Sequence, residues 1–575
     1  MGFRNSILAV ALFCIFLLQT TPGWGMAKQQ EQPPAQRTEY IFYPEPGQSN
    51  ETLLAEVLKD FHNRGFLQAR LDTFVEDSQR IVLYIDPGPP FFYKIIHHNL
   101  EPVLLGLPGV RQALDADSLS FVQFEKLSNT LLTHFQNNGH PFARLQPNIV
   151  SIDGQLIKTE IRASAHDAVF FDTLQLQNPG ILSRRFLEMH SGIRTGMPYD
   201  ERKVQQLFDR FSDLDFVRFS ESPAIRFLPG SARIELPLEK VRINRFDGIA
   251  GFSSSENAGE GTRITGLLNL FLANTLGEGE SLDLFWQATG QGSQQLSISA
   301  AYPYLWRFAI GTELMFALQR RDTTWLQLQF RPALLTQPIS GMQWGVFMHY
   351  TQGSLISTRA YQQGQAQPQA LDFSTRLYGI ELRRQSRSYN RLLLQQGYRM
   401  RISAAAGNHS IRINTNLPPE IYQDIILKRL QINGEAVLEK RWQTGQLGTF
   451  STGTRLGWFN GRQIPENQLY RLGGFKTLKG FDELSLLASS FTLAWGEYRF
   501  FTAENSFLSI LANGGWLERK QKNNYTNDLV FAMAAGLNLQ TQAGIFALYF
   551  ALGTQKNIPP EFRNAKIHVG YVSVF

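Results

Sequence analysis

The sequence predicts a chain in two parts: small α+β modules in tandem, then a transmembrane antiparallel β-barrel of about 16 strands. Three observations lead there. From about Tyr40 to Val241 a helical apolar stripe followed by two strand-like runs recurs, with a period of roughly 70–75 residues. From about Asn244 the helical stripes vanish. Alternating runs of roughly 10–14 residues take over, long enough for the ~9–11 residues of a membrane-crossing strand.

Composition narrows the class. Of 575 residues, 43% are hydrophobic and 18% charged, with 43 Phe and 18 Tyr. Mean hydropathy is −0.20, which excludes a bundle of membrane helices and suits strands with one lipid-facing side. The net charge of +6 is not gathered into a basic block, so no nucleic-acid partner is expected.

Residues 1–27 read as a secretory signal peptide. Arg4 supplies the positive start, Ile7 to Leu18 the apolar core, and Thr21 to Ala27 a small-residue exit. Cys14, the single cysteine, lies inside it. Residues 28–38, polar and containing Pro33 and Pro34, read as a disordered lead-in.

The first module, 39–90, opens on a faint strand at Tyr40 to Tyr43. Leu53, Leu54, Val57, Leu58 and Phe61 share a helical stripe that ends near Asn63-Arg64-Gly65. Strands are expected at Phe66 to Phe74 and Arg80 to Ile85, and Asp86-Pro87-Gly88-Pro89-Pro90 closes the unit. The second module, 91–167, places a helix at Phe121 to Asn137 and strands near Ala143 to Ile152 and Gln155 to Ala163. The third, 168–241, opens on Val169 to Leu176. Helices follow near Ser183 to Ser191 and Asp200 to Phe211, then strands at Phe216 to Phe227 and Ala232 to Leu238.

The barrel is expected over 242–575. Trp325 to Arg331 alternates cleanly, and Phe546, Leu548, Phe550 and Leu552 form one apolar face. Strands of a soluble sandwich average ~5–6 residues, so these runs fit lipid better. The run Ser489 to Phe500 does not resolve into two faces.

Between two such runs lies a stretch of unusual order, Arg471-Leu472-Gly473-Gly474-Phe475-Lys476-Thr477-Leu478-Lys479-Gly480-Phe481-Asp482-Glu483. Paired glycines permit close backbone approach, and a cation placed in a confined space needs a partner. The chain stops on Ile567-His568-Val569-Gly570-Tyr571-Val572-Ser573-Val574-Phe575, mid-strand on an aromatic. Asp86-Pro87-Gly88-Pro89 followed by Tyr93-Lys94-Ile95, the loop segment Leu478-Lys479-Gly480-Phe481 with Gly473-Gly474 upstream, and the closing Phe575 together resemble the BamA/TamA outer-membrane assembly superfamily. Its members carry periplasmic POTRA modules and a sixteen-stranded barrel, and the resemblance covers essentially all of the chain after the leader.

The resemblance implies a lumen loop over 460–484, between barrel strands eleven and twelve. It implies a C-terminal signal at His568, Gly570 and Phe575, and a labile seam between first and last strands. Gly248, Gly251 and Gly570 are the seam candidates, because glycine weakens strand pairing. The chain departs from the family at Lys479, normally Arg, at Asn513, usually Asp, and at Ser573, usually apolar or aromatic. Arg forks two bonds to a carboxylate, whereas Lys is a point charge. Lys479 is therefore expected to pair with Glu497 on the next strand.

Three modules place the chain nearest the TamA-like branch, with a count of two left open. The implied activity is non-enzymatic insertion or secretion of unfolded outer-membrane or secreted polypeptides, with the outer-membrane bilayer and a TamB-like inner-membrane protein as partners. The alternatives are a two-partner-secretion type exporter and a passive pore. No nucleophile turn, phosphate loop or zinc-binding helix is present, and no cofactor is expected. His97-His98 sits in an expected strand, so the two rings face opposite sides and cannot share a metal.

Overall fold

The computed structural model describes residues 38–574 apart from 43–49, 77–80, 254–262, 289–292, 307, 338–340, 359–369, 387–395, 424, 462–463, 475–476, 504–505, 522–523, 542–543 and 557–560. The expected signal peptide, all of the lead-in but Thr38, the last three residues (Ser254 to Glu256) of a first barrel strand expected over Asn244 to Glu256, and Phe575 lie outside the described residues. The chain divides into two units, Met1–Gln136 with Phe142–His166, and Asn137–Pro141 with Asp167–Phe575.

In the first unit β1 (Thr38–Phe42), β2 (Arg70–Glu76) and β3 (Ile81–Asp86) form a sheet in the order β1-β3-β2. The expected lead-in thus ends one residue sooner. The helix Asn50–Asn63 lays Leu53, Val57 and Phe61 against Ile81, Leu83 and Ile85, the core of the module. The strand expected from Phe66 starts later. Gly65 turns at φ 93°, Phe66 bonds back to Phe61, and the extended run begins at Arg70.

The second sheet has the order β5-β4-β7-β6, from β4 (Phe92–His98), β5 (Leu119–Ser120), β6 (Arg144–Asp153) and β7 (Leu156–Ser164). The helix Phe121–Asn137 buries Leu127 and Leu131 beneath it, with Ile95 and Ile161. Two short helices, Pro102–Leu105 and Val110–Leu114, stand where the sequence suggested none. At one turn each they are too short to display a helical stripe.

In the second unit a three-stranded sheet of order β10-β11-β8 joins β8 (Phe170–Leu176), β10 (Ala224–Leu228) and β11 (Ser231–Leu236). Helices Arg184–Ser191 and Glu201–Ser212 cover it, capped by Ser183 and Asp200. The single strand expected over Phe216 to Phe227 is two. Ser222-Pro223 breaks it, and β9 (Val217–Phe219) pairs with β12 (Leu238–Lys240) instead.

Sixteen strands then close a barrel. They are β13 (Arg245–Ser253), β14 (Arg263–Ala273), β15 (Ser281–Ala288), β16 (Gln294–Tyr302), β17 (Ile310–Arg321) and β18 (Trp325–Thr336). Next come β19 (Met342–Leu355), β20 (Phe373–Gln385), β21 (Gly397–Ile411), β22 (Lys428–Thr444) and β23 (Gly448–Phe459). After the hairpin β24 (Tyr470–Leu472) and β25 (Leu486–Ala488), the wall resumes with β26 (Ser490–Ala503), β27 (Ser506–Gln521), β28 (Asn524–Gln540), β29 (Ile545–Gln555) and β30 (Lys566–Val574). Antiparallel neighbours with an apolar outer face satisfy their backbone groups within the wall, the condition lipid imposes.

Alternation sets the two faces. On β28, Leu529, Phe531 and Met533 are exposed outward while Val530, Ala532 and Ala534 are buried inward. On β26, Tyr498 and Phe500 face out and Glu497 faces in, which resolves the run Ser489 to Phe500. Its faces were obscure because the inward one carries Trp495 beside charge.

The third module is bonded to two barrel turns. Ser183 N donates to Gly277 O at 2.8 Å and Asn274 Nδ2 to Ile181 O at 2.9 Å. The Arg185 guanidinium donates to the carbonyls of Tyr304, at 3.0 Å, and of Trp306, holding the latter at φ 51°. His190 lies between the Tyr304 hydroxyl, 2.7 Å from Nδ1, and the Arg210 carbonyl, 2.8 Å from Nε2. The carbonyl requires Nε2–H, so Nδ1 accepts from Tyr304 and the ring is neutral. Burial lowers its pKa to about 4.

A histidine held below its unfolded value binds protons less readily folded than unfolded. Its stabilising share is complete above about pH 6.5 and is lost as pH falls toward 4, with an upper limit of ~3 kcal/mol. The protection factors of amides 184–191 in the full chain, with exchange corrected for its intrinsic pH dependence, are expected to fall between pH 6.5 and 4. A His190→Gln variant is expected to show a flatter profile.

Candidate functional site: the lumen loop and the barrel seam

The segment between β23 and β26 joins the eleventh and twelfth barrel strands and folds into the lumen. Its base is pinned at the barrel end opposite the turns that meet the third module. Glu466 meets Arg321 at 2.7 Å and Arg471 at 3.2 Å, with Arg519 at 3.9 Å. Asn467 exchanges two bonds with the Leu371 backbone and accepts Gln327 Nε2 at 2.9 Å. Arg471 also stands 5.1 Å over the Trp325 ring.

The expected motif residues form the tip. Gly473 and Gly474 take φ 106° and 92°, and Gly474 N donates to Leu478 O at 3.1 Å. Thr477 Oγ1 accepts from Gly473 N at 2.8 Å. Leu478 and Phe481 are buried with Leu493, Leu517, Val530 and Ala532 of the wall. Gly480, at φ 99°, lies so close to the wall that a Cβ there would sit 2.7 Å from Ala532 Cβ and 3.1 Å from Gly553 N. Gly553 is equally restricted, because its own Cβ would meet Gly480 O at 2.5 Å.

Lys479 and Glu497 enter one cluster. The Lys479 ammonium stands 4.9 Å from the Tyr549 ring centroid. Tyr549 OH donates to Glu497 Oε1 at 3.1 Å, and Arg499 donates to Glu497 Oε2 through Nε at 2.9 Å and Nη2 at 2.6 Å. The fork that the loop lacks is thus present two residues along β26. Asn513 is buried on β27, with Oδ1 accepting no hydrogen bond among the described residues. Opposite the seam, Arg331, Arg383 and Arg401 surround Glu381 at 3.0, 2.8 and 3.1 Å, and Arg383 also binds Glu313 at 2.7 Å. That network stiffens β17, β18, β20 and β21.

The seam is the weak junction. β13 pairs with β14 from Arg245–Phe271 to Ser253–Arg263, and β29 with β30 from Ile545–Val572 to Ala551–Lys566. β13 and β30 meet only at Arg245–Val574 and Phe246–Ser573 among the described residues. Gly248 and Gly251 lie beyond that short ladder and pair with Leu268 and Thr265 on the other side, while Gly570 pairs with Ala547. His568 of the expected C-terminal signal accepts Gly480 N at 3.4 Å.

Sequence reasoning missed Glu466, Arg499, Tyr549 and Lys566. Glu466 lies within the expected loop and Tyr549 on an alternating run, but nothing local marked either as an anchor. Arg499 had one, because it follows Glu497 at the two-residue spacing that places both on one face.

Tandem α/β modules joined to a sixteen-stranded barrel with a loop in its lumen define a recognised class of fold. CdiB from Escherichia coli shares it, with TM-score 0.53 and 13% identity over 91% of this chain and 98% of that one. CdiB from Acinetobacter baumannii matches at TM-score 0.52 and 12% identity, over 91% and 99%. BamA from Haemophilus ducreyi lacking POTRA domains 1–3 aligns at TM-score 0.43 and 11% identity, over 84% and 99%. At this identity the CdiB likenesses show the fold. No protein-family profile matches the chain, and no curated protein matches it.

Two outcomes follow from the geometry. Gly480→Ala is expected to destabilise the barrel by about 2–4 kcal/mol, through left-handed strain plus overpacking, as a lower heat-unfolding temperature on gels. Glu497→Ala leaves the Arg499 charge buried without its carboxylate and is expected to cost about 3–5 kcal/mol, against about 1–2 for Lys479→Ala. Denaturant unfolding in detergent compares the two.

Proposed function

We propose that this protein is an outer-membrane factor that inserts or exports unfolded polypeptides, with its modules in the periplasm and the β13–β30 seam as the working part. The observation that carries the reading is the seam itself, with two paired positions among the described residues in an otherwise continuous wall. An incoming strand could pair with either bare edge, the chemistry of β-augmentation. Sheet edges in the modules, such as β6 with Ile149, Val150 and Ile152 exposed, support a role in holding extended clients.

Within this class we favour a TamA-like assembly role, with a TamB-like inner-membrane partner, on the three-module organisation 39–90, 91–167 and 168–241. The second reading, export of one dedicated secreted partner, draws on the likeness to both CdiB structures over 91% of the chain. A passive pore is disfavoured by the loop, whose Leu478 and Phe481 are buried inside the barrel.

Cysteines at Phe246 and Ser573, directly opposed in the register, should lock the seam. Oxidation is expected to abolish function and reduction to restore it. Full activity when locked would sink the proposal. Depletion separates the two readings: loss of several outer-membrane proteins supports assembly, and loss of one exoprotein supports export.

A further inference from the structure

We propose that the tip of the lumen loop is a latch on the last barrel strand, holding β30 at the seam through Asp482–Lys566 and Gly480–His568. This rests on the seam being the working part, and it names what controls it. β30 has a full ladder only toward β29. Toward β13 it is paired at Phe246 and Arg245, opposite Ser573 and Val574, so its other end, Lys566 to Gly570, has no strand partner on that side among the described residues.

The loop reaches that same end. Lys566 Nζ meets Asp482 Oδ1 at 2.7 Å, and Gly480 N donates to His568 Nε2 at 3.4 Å. Lys479 stands over Tyr549, the β29 residue directly opposite His568. Gly480 is seated against Ala532 and Gly553, so the backbone cannot slide without opening that contact. Residues 479, 480 and 482 therefore engage neighbouring strands together, and lifting the tip removes all the contacts at once. β30 would then depend on one ladder and two residue pairs. Local opening of an edge strand follows such a loss without unfolding the rest.

Asp482 and Lys566 are accessible, with side chains 70% and 36% exposed, so reversing them does not disturb a core. In full-length protein reconstituted in phospholipid vesicles, Asp482→Lys and Lys566→Asp singly are expected to accelerate amide exchange of 566–570 by about 2–5-fold, the scale of one partly exposed ion pair. Exchange across β20–β22 should stay unchanged. The double reversal, Asp482→Lys with Lys566→Asp, is expected to return the rate close to the original. His568→Ala supplies an independent second contact to remove, with the same expected acceleration. Unchanged exchange in the single variants, no rescue in the double, or acceleration spread evenly over all strands would overturn the latch. No client is needed for this measurement, so a failed depletion experiment rejects the assembly role and leaves the latch standing.

Discussion

Inside lipid, each backbone N–H and C=O must find a partner in the protein, and closure of the wall is the solution a sheet has. This chain meets that constraint around the barrel and concentrates the shortfall at β13–β30.

The opposite wall is built differently. Glu381 with three arginines, and Arg331 stacked 3.9 Å over Phe347, make a buried charged cluster on adjoining strands. Breaking any member leaves buried charge, so the region tolerates little movement. One side of the barrel is stiff and the other depends on a few contacts, with the loop tip packed on the pliant side.

Much of the architecture was legible because membrane strands and amphipathic helices impose long periodic patterns. The helix at Phe121–Asn137 and the loop's place after the eleventh strand were readable for that reason. Short elements were not: the turn-long helices at Pro102 and Val110 have no period to detect. The site was legible in its glycines, whose left-handed angles and close approach leave no other residue type comfortable. Its polar partners were hidden. Tyr549, Lys566 and Glu466 come from three distant stretches, and nothing local marks a residue whose partner is set by barrel curvature.

The bonds between the third module and the barrel turns have a mechanical meaning. Ser183 and Asn274 couple the module to the β14–β15 turn, and Arg185 and His190 couple it to the β16–β17 turn. These turns carry the first strands of the wall, on the β13 side of the seam. The module and those strands therefore form one lever, with the seam at its free edge. A load on the third module would reach β13 along the β13–β14 ladder, while β30 is held to the loop through Asp482–Lys566.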